Sequence, residues 1–294
     1  MLNELIRLAQ LSGRVDTKCE LAGPWQLSHQ QRPGTAAMHI ITQGQAYLDG
    51  RPLGPGHMVF LKNDHRLSAT AAAAGPAIPV HSAAKGPFRW KWASGEGHHC
   101  ALFCAHFHYE PRSLLLEALP GEIIIDSRLA QLRPLIELLE QEERQPSETS
   151  ASVIDALSQV LFVEVLRGHL AQGREQLFGL LRAYQHRGLS RILQRLVLEP
   201  QRPWPVAEMG AVGAMSSQSV NRLFRDYLQT TPHAYLQRLR LQRSAYLLRH
   251  SANNVLAVAL SCGFKSETHF GKLFKKHYGQ TPKQYRQQPS ADGL

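Results

Sequence analysis

The last third of the chain repeats itself with a period of 50 residues. When the sequence is laid over itself with that shift, residues of many chemical types coincide. The coincident pairs are Ala207 with Ala257, Gly213 with Gly263, Ser216 with Ser266, Leu223 with Leu273, Phe224 with Phe274, Arg225 with Lys275, Thr231 with Thr281, Pro232 with Pro282 and Tyr235 with Tyr285. A shared period across so many residue types indicates one supersecondary unit used twice.

Each copy is predicted to be a helix, a short turn at Gly213 or Gly263, and a second helix capped by Ser216 or Ser266. Apolar residues recur on one face of each second helix and are assigned to the core. They are Val220, Leu223, Phe224 and Tyr227 in copy one, and Phe270, Leu273, Phe274 and His277 in copy two. The pattern predicts a helix-turn-helix over about residues 204–228 and another over about residues 254–278.

The opposite faces of these second helices carry side chains that can read DNA, since Asn and Gln pair with adenine, Arg with guanine, and Glu with cytosine. The predicted DNA contacts are Ser217, Gln218, Asn221, Arg222, Arg225, Glu267, Thr268, Lys272, Lys275 and Lys276. The alternative is a merely solvated surface. Gly271, in mid-helix, is interpreted as permitting close approach to DNA or to a neighbouring helix.

The net positive charge of the chain comes from this region alone. Residues 186–294 hold 16 Lys and Arg against 5 Asp and Glu, whereas residues 1–185 hold 17 against 18. A localised positive field is typical of a polyanion binder, because neutralised phosphates release counterions. A basic surface kept for solubility is the alternative. The repeat favours the first interpretation.

A long helix is predicted between the copies, over residues 232–249, with Thr231 as its cap and Pro232 in its first turn. Eighteen residues span about 27 Å, so this helix can hold two recognition helices near the spacing of successive major-groove segments. If the connector is rigid, we expect bound DNA to bend.

The span from Trp204 to Tyr285 resembles the AraC/XylS family of transcription regulators. The residues that carry the resemblance are Met215, Ser216, Arg222–Arg225, Thr231, Pro232, Tyr235, Leu236, Leu239–Leu241, Ala259, Gly263, Phe264, Ser266, Phe270, Phe274, Lys275, Thr281 and Pro282. The resemblance implies an all-α DNA-binding domain, with double-stranded operator DNA and RNA polymerase as partners and no enzymatic activity. One departure is Gln229, which stands where the family usually has the helix-ending glycine kept here as Gly279.

The first half of the chain is predicted to contain a small β-barrel, because short apolar runs alternate with turn signals such as Asp49-Gly50. This half resembles the cupin-like sensor domains of the same family, in which a Pro-Gly turn leads into a strand and then a histidine. The stretch Thr70–Gly97, rich in Ala, Gly and Pro, is interpreted as a mobile insertion.

Strand periodicity in the segment His98–Tyr109 places cysteines and histidines on one face and aromatic residues on the other. Cys104, His106 and His108 are candidate ligands for zinc or copper, although no cofactor is expected and a polar outer face over an aromatic core is the alternative. The residues predicted to bind a ligand or to sense oxidants are Cys19, Trp25, His39, His65 and Cys104.

The predicted fold is α+β with two domains. A sensor domain covers residues 1–182, with the cupin-like barrel at about 15–126 and helices at about 128–182, and a DNA-binding domain covers residues 183–294. The helix Val153–Leu170 carries a wide apolar band that is predicted either to pack on the barrel or to mediate a homodimer. The band comprises Ile154, Leu157, Val160, Leu161, Val165 and Leu166.

The segment Met1–Gly13 lacks the apolar core of a secretory signal, and no stretch reaches the roughly 18 apolar residues of a membrane helix. A cytoplasmic protein without membrane contact is therefore expected. Its four cysteines, Cys19, Cys100, Cys104 and Cys262, are expected to be reduced thiols.

The predicted function is a sequence-specific transcription regulator, an activator that responds to a small-molecule inducer. Over nearly the whole chain the sequence is similar to the family's activators of multidrug efflux pumps, which implies sensing of hydrophobic toxicants and control of efflux or stress-defence genes. The residues that carry this similarity are Leu8–Gly13, Leu102–Ala105, Val153–Ser158 and Ser266–Lys272. Such relatives also respond to reactive chlorine species or metals, so sensing through Cys19, Cys104, His106 and His108 stays open.

Two other classes of protein are considered. An enzyme would be either a cupin metal oxygenase fused to DNA-binding helices, which the incomplete ligand set disfavours, or a methyl-accepting cysteine protein, which the missing four-cysteine zinc cluster disfavours. A purely architectural DNA binder would need no sensor domain.

Overall fold

The computed structural model describes residues 2–71, 76–126, 132–171 and 179–288. The chain folds into two compact units that interleave along the sequence. The sheet unit comprises Ser12–Tyr109 and Pro120–Gln172, and the helical unit comprises Met1–Leu11, Glu110–Leu119 and Gly173–Leu294. The predicted α+β class with a sheet-rich and an all-α domain is confirmed. The boundary predicted between residues 182 and 183 stays a prediction.

The strands are β1 (Ser12–Ala22), β2 (Gln26–His29), β3 (Thr35–Gly44), β4 (Ala46–Leu48), β5 (Arg51–Leu53), β6 (His57–Leu61), β7 (His65–Ser68), β8 (His81–Lys85), β9 (Phe88–Ala93), β10 (His99–His108) and β11 (Glu122–Asp126). The helices are α1 (Leu2–Leu8), α2 (Leu114–Ala118), α3 (Arg133–Arg144), α4 (Ser150–Ala171), α5 (Gly179–Gln185), α6 (Arg187–Leu198), α7 (Val206–Gly213), α8 (Ser217–Leu228), α9 (Pro232–His250), α10 (Val255–Ser261), α11 (Glu267–Tyr278) and α12 (Pro282–Gln287).

The strands of the sheet unit form two sheets. A seven-stranded sheet has the order β11-β6-β3-β10-β1-β9-β8, and a four-stranded sheet has the order β2-β7-β4-β5. Among the described strands no ladder joins the two sheets, so the predicted barrel is not closed. The chain crosses from the large sheet to the small one at Gly44, whose φ of +70° and whose contact with the His99 carbonyl leave no room for a side chain. This corner ends β3 and separates the sheets.

The core of the sheet unit lies between the two sheets. It is built from apolar residues of both sheets, and it includes three of the five residues predicted to bind a ligand or to sense oxidants, Cys19, Trp25 and Cys104. Its buried members are Cys19, Leu21, Trp25, Leu27, Ile41, Ala46, Leu48, Leu53, Val59, Leu61, Leu67, Ala69, Ala93, Cys100, Leu102 and Cys104. The cysteines of β10 therefore face an apolar interior, and the polar outer face considered as the alternative is not what they form.

Helix α4 packs against β1, β6 and β11. Its Phe162 ring lies 5.4 Å from Phe60 and 6.2 Å from Phe107, measured between ring centroids. Of the apolar band predicted on this helix, Val160 is 43% exposed and the other five residues are buried. The band is thus used mainly for packing within the sheet unit.

The stretch predicted as a mobile insertion contains two strands, β8 and β9, and only residues 72–75 of it lie outside the described residues. Strand β9 pairs with β1 in parallel, and Phe88 packs on Phe103 with ring centroids 5.5 Å apart. The prediction of a mobile insertion was wrong. It was based on the high Ala, Gly and Pro content of the stretch and gave too little weight to the alternating apolar and polar residues of Phe88–Ala93.

The helical unit contains the predicted repeat. The Ser216 hydroxyl accepts a hydrogen bond from the Ser219 amide at 3.2 Å, and the Ser266 hydroxyl accepts one from the His269 amide at 3.3 Å. Both predicted caps are confirmed. The predicted connector helix is α9, capped by the Thr231 hydroxyl on the Ala234 amide at 3.2 Å. Among the described residues, no helix is both long and apolar enough to cross a membrane.

Gln229 and Gly279 end the second helix of each repeat at equivalent positions. Comparing them tests the energetic cost of a left-handed backbone conformation. Gln229 (φ +53°) and Gly279 (φ +76°) both adopt the left-handed conformation, which costs a residue with a Cβ about 1 kcal/mol. We expect Gln229→Gly to raise the free energy of unfolding in urea by about 0.5–1 kcal/mol. The reciprocal change, Gly279→Gln, should lower it by a similar amount, since a Cβ there meets no atom within 4 Å. A loss of stability in Gln229→Gly would contradict this.

Candidate functional site

Helices α8 and α11 present the predicted DNA contacts on their solvent-facing sides. Nine of the ten predicted side chains are exposed. The tenth, Asn221, is half-buried and donates a hydrogen bond to the Ser217 carbonyl at 3.0 Å. The buried sides of the two helices are anchored by Val220, Phe224, Phe270 and Phe274. The division into a core face and an outer face agrees with the periodicity.

The cationic side chains on these outer faces are not paired with carboxylates of the described residues. Elsewhere in the helical unit, Arg202 forms ion pairs with Glu199 at 2.8 Å and with Glu208 at 2.5 Å. Within the described parts of the chain, by contrast, no ion pair involves the five cationic residues predicted to contact DNA. These are Arg222, Arg225, Lys272, Lys275 and Lys276. They are therefore available to phosphates and base edges.

Gly271 lies on the outer side of α11. A Cβ built on it would meet no protein atom within 4 Å. The interpretation that this glycine allows a neighbouring helix to approach is therefore wrong for the described residues. Close approach to DNA stays a prediction.

A buried polar contact distinguishes the second repeat from the first. The Tyr285 hydroxyl donates to the Glu110 carboxylate at 2.5 Å, and Glu110 is 4% exposed. Burial and the negative charge of Glu110 raise the pKa of Tyr285. The equivalent residue of copy one, Tyr235, is also buried, but its hydroxyl has no hydrogen-bond partner among the described residues. Sequence reasoning missed this pairing, because Glu110 precedes Tyr285 by 175 residues.

Segments from the start and the middle of the chain complete the helical unit. Helix α1 packs against α6 and α9, and α2 packs against α5. The Gln242 amide donates to the Leu8 carbonyl at 3.2 Å, and Arg249 donates to the Gln10 side chain at 3.2 Å. These two segments directly precede β1 and directly follow β10, so the chain joins them covalently to the central strands of the large sheet.

The sheet unit gathers three histidines and two cysteines between its sheets. His39 on β3 is the cross-strand partner of Cys104 on β10, and His29 on β2 is the partner of His65 on β7. One ring nitrogen of His39, Nδ1, lies 3.1 Å from the Cys104 sulfur, and the other, Nε2, lies 2.8 Å from Nε2 of His65. The Cys19 sulfur lies 3.9 Å from that of Cys104. We call His29, His39 and His65 the histidine cluster.

The interior position changes the proton affinities of these groups. Burial, followed by the charge of His65, lowers the pKa of His29 to about 3. Burial also lowers the pKa of His65, and it lowers that of His39 well below its usual range. The three imidazoles are therefore neutral at physiological pH. Contact with the Cys19 thiol and burial raise the pKa of the Cys104 thiol well above its usual range.

The three residues predicted as zinc or copper ligands differ in exposure and in partners, and the His106 ring lies 6.4 Å from that of His29, measured between centroids. Cys104 is buried between the sheets, whereas His108 is exposed at the end of β10. His106 lies 2.9 Å from the Asp16 carboxylate; burial would raise the pKa of Asp16, but the hydrogen bond and charge of His106 outweigh it and lower that pKa. Among the described residues, the group with metal-ligand geometry is the histidine cluster, whose ligand atoms lie within 4.8 Å of one another.

The structure thus brings together His39, His65, Cys19 and Cys104 from the predicted set of ligand or redox residues. Trp25, the fifth, is buried in the same core. His29 was missed, because a single histidine beside a loop carries no periodic signal. An open groove on the sheet unit was also missed, because most of its lining belongs to the stretch interpreted as an insertion. It is lined by Glu20, Ala22, Trp90, Trp92, Ala93, Ser94, Gly95, Glu96 and His99.

Comparison with known proteins agrees with this architecture. A cupin family model matches residues 1–171, and a helix-turn-helix domain model matches residues 211–288. The HTH-type transcriptional regulator MtrA of Neisseria gonorrhoeae is 35% identical, covering 98% of each chain. An uncharacterized HTH-type transcriptional regulator of Haemophilus influenzae is 33% identical over 98% of this chain and 99% of its own. The RCS-specific HTH-type transcriptional activator RclR of Escherichia coli is 29% identical over 97% of this chain and 96% of its own.

Paired helix-turn-helix motifs with free outer cations, together with these matches, define a DNA-binding transcription regulator. The chain belongs to the AraC family of such regulators, in the group whose helix-turn-helix domain follows a cupin domain. The family resemblance of residues 204–285 is thereby confirmed.

Proposed function

We propose that this regulator activates transcription by binding operator DNA through α8 and α11 and recruiting RNA polymerase, under control of a signal received by the sheet unit. The observation that carries the proposal is the pair of capped helices, 50 residues apart, each with a buried apolar side and an outer side of exposed cations and base-reading groups. Efflux or stress-defence genes are the proposed targets, on the sequence similarity to efflux-pump activators.

The proposed inducer is a small hydrophobic toxicant. The groove on the sheet unit supports this choice, because Trp90 and Trp92 offer aromatic surface and Trp92 is 37% exposed. Glu20 and Glu96 in the same groove favour an inducer that carries a positive charge beside its apolar part. A hydrophobic cation such as ethidium is therefore a suitable probe, with Trp92→Ala as the variant and Leu198→Ala, an exposed apolar residue of the helical unit, as the control.

Selection from a random duplex library tests the DNA-binding proposal. The full-length protein, with heparin as competitor, should enrich a sequence with two half-sites about one helical turn apart. The double variant Arg222→Ala with Lys272→Ala should lose the enrichment, whereas Arg133→Ala, an exposed residue of the sheet unit, should retain it. Failure of the unaltered protein to enrich any sequence would overturn the proposal.

A thiol-based signal is the second candidate, supported by the 3.9 Å separation of the Cys19 and Cys104 sulfurs and by the relative named as RCS-specific. With hypochlorous acid, two thiols would form one disulfide and release HCl and water. The raised pKa of Cys104 weighs against this candidate, because the thiolate is the reactive form. Intact mass after treatment tests it. The two-hydrogen mass loss should vanish in Cys19→Ser and persist in Cys262→Ser.

Gly271→Ala separates helix stability from DNA contact. We expect the free energy of unfolding to rise by about 1 kcal/mol, because alanine is the better helix former and its Cβ meets no protein atom within 4 Å. Affinity for the selected operator should nevertheless fall several-fold, because the added methyl group would meet the DNA. His269→Ala, an exposed change on the same helix, is the control. Unchanged operator affinity in Gly271→Ala would remove this glycine from the interface.

A further inference from the structure

The hydrogen bonds around the histidine cluster determine which ring nitrogen of His65 is unprotonated and faces the other histidines. His65 Nδ1 lies 2.9 Å from the Asn63 carbonyl oxygen, which can only accept, so Nδ1 must carry the proton. The neutral ring then has an unprotonated Nε2. That nitrogen is aimed at Nε2 of His39, 2.8 Å away. Fixing one ring nitrogen by a backbone carbonyl so that the other is free to coordinate is the usual second-shell arrangement of metal-bound histidines.

His39 is held in the same manner from its other side. Its Nδ1 lies 3.1 Å from the Cys104 sulfur, which can accept a hydrogen bond as well as donate one. When Nδ1 donates to that sulfur, Nε2 of His39 is left with a lone pair that faces the lone pair of His65. In that tautomer the two lone pairs, 2.8 Å apart, repel one another unless a cation lies between them; in the other tautomer the thiol donates to Nδ1 and the Nε2–H of His39 donates to His65.

His29 supplies a third nitrogen without a partner. Its Nε2 is shielded from solvent and has no hydrogen-bond partner among the described residues. The ring stacks on His65 with centroids 4.8 Å apart and an interplanar angle of 6°, and its centroid is also 4.8 Å from that of His39. A buried polar atom left unsatisfied is costly. This orphaned nitrogen is an observation independent of the His39–His65 contact, and it points to a ligand at the same place.

We propose that His29, His39 and His65 form a binding site for one divalent first-row transition metal ion of the zinc type. Cys104 serves as an outer partner of His39. Three neutral imidazoles suit such an ion, and a tetrahedral site with bonds of about 2.0–2.1 Å places its ligand atoms roughly 3.3 Å apart. The Nε2 atoms of His39 and His65 are 2.8 Å apart, and all the ligand atoms of the cluster lie within 4.8 Å of one another, so these distances span the tetrahedral value. Three protein ligands leave one position for water or a signal molecule.

The site would connect the two sheets. His39 belongs to β3 of the large sheet, whereas His29 and His65 belong to β2 and β7 of the small one. A bound ion would therefore hold the sheets together and fix the ring beside Cys104. The proposal concerns the sheet unit alone and does not rest on DNA binding, so the two can fail separately.

The test uses the full-length protein, reduced and stripped of metal with a chelator. Titration with Zn²⁺ against a chromophoric chelator should show one tight equivalent, and saturation should raise the thermal midpoint by several degrees. His29→Gln and His65→Gln should each weaken binding by at least tenfold. The controls His106→Gln and His108→Gln, which alter the ligands predicted from sequence, should bind as the unaltered protein does.

Co²⁺ provides a readout that needs no variant, which matters if a substitution in the core prevents folding. The unaltered protein should give the visible bands of a tetrahedral site without a thiolate-to-metal charge-transfer band. Such a band would show that Cys104 binds the metal ion directly, which would contradict its assignment as a partner of His39 outside the ligand set. No tight equivalent of Zn²⁺, or an equal loss in the His106→Gln and His108→Gln controls, would overturn the site itself. Operator binding is measured on the same variants, so that failure of the metal site can be distinguished from failure of the DNA-binding proposal.

Discussion

Replacing Arg222 by alanine is expected to cost the full-length protein about 1–3 kcal/mol of binding free energy for its selected operator, roughly a 5- to 160-fold loss of affinity. The reason is that Arg222 is exposed on α8, has no ion-pair partner among the described residues, and carries the donor fork that fits guanine. Affinity for random duplex should change little, because phosphates supply most of that binding. Quantitative binding assays on both duplexes at one salt concentration measure the difference.

Lys276→Ala is the matched control for that experiment. Lys276 lies near the end of α11, is exposed and is predicted to contact a phosphate. Its loss should weaken operator and random duplex alike and reduce the slope of log affinity against log salt by about 1. If Arg222→Ala instead lowers affinity for both duplexes equally, Arg222 does not read a base and the assignment of α8 as a recognition helix is wrong.

Tyr285→Phe is expected to lower the free energy of unfolding by about 2 kcal/mol, because it leaves the buried Glu110 carboxylate without the hydroxyl that donates to it. Tyr235→Phe is the matched control at the equivalent repeat position. The Tyr235 hydroxyl is buried and has no hydrogen-bond partner in the described part of the chain. Its removal should therefore be neutral or slightly stabilising. Urea unfolding of the two variants and of the unaltered protein measures both effects.

A double-mutant cycle isolates the pair itself. Glu110→Ala together with Tyr285→Phe should be less destabilising than the sum of the single changes, since either one alone removes the same hydrogen bond. Additive losses, or equal losses in Tyr285→Phe and Tyr235→Phe, would show that the contact contributes nothing specific. Both residues of the pair belong to the helical unit, Glu110 in the segment that follows β10 and Tyr285 in α12, so the cycle measures how firmly these two segments of that unit are held together.

Short-range patterns in the sequence determined the DNA-binding half. The period of 50 residues, the caps at Ser216 and Ser266 and the apolar faces of α8 and α11 depend on neighbours within a few positions. Helix-forming interactions reach only three or four residues along the chain, so these features can be predicted from the sequence alone. The outer cations followed from the same periodicity, since the residues opposite a buried face must point to solvent.

Only the tertiary structure decided the sensor half. The contacts of the histidine cluster join residues 26 apart for His39 and His65 and 65 apart for His39 and Cys104. The parallel addition of β9 to β1 and the placing of α1 and α2 in the helical unit likewise depend on distant segments. Which strands become neighbours, and in which register, is set by the packing of the whole core. No local pattern in a single sequence records that choice.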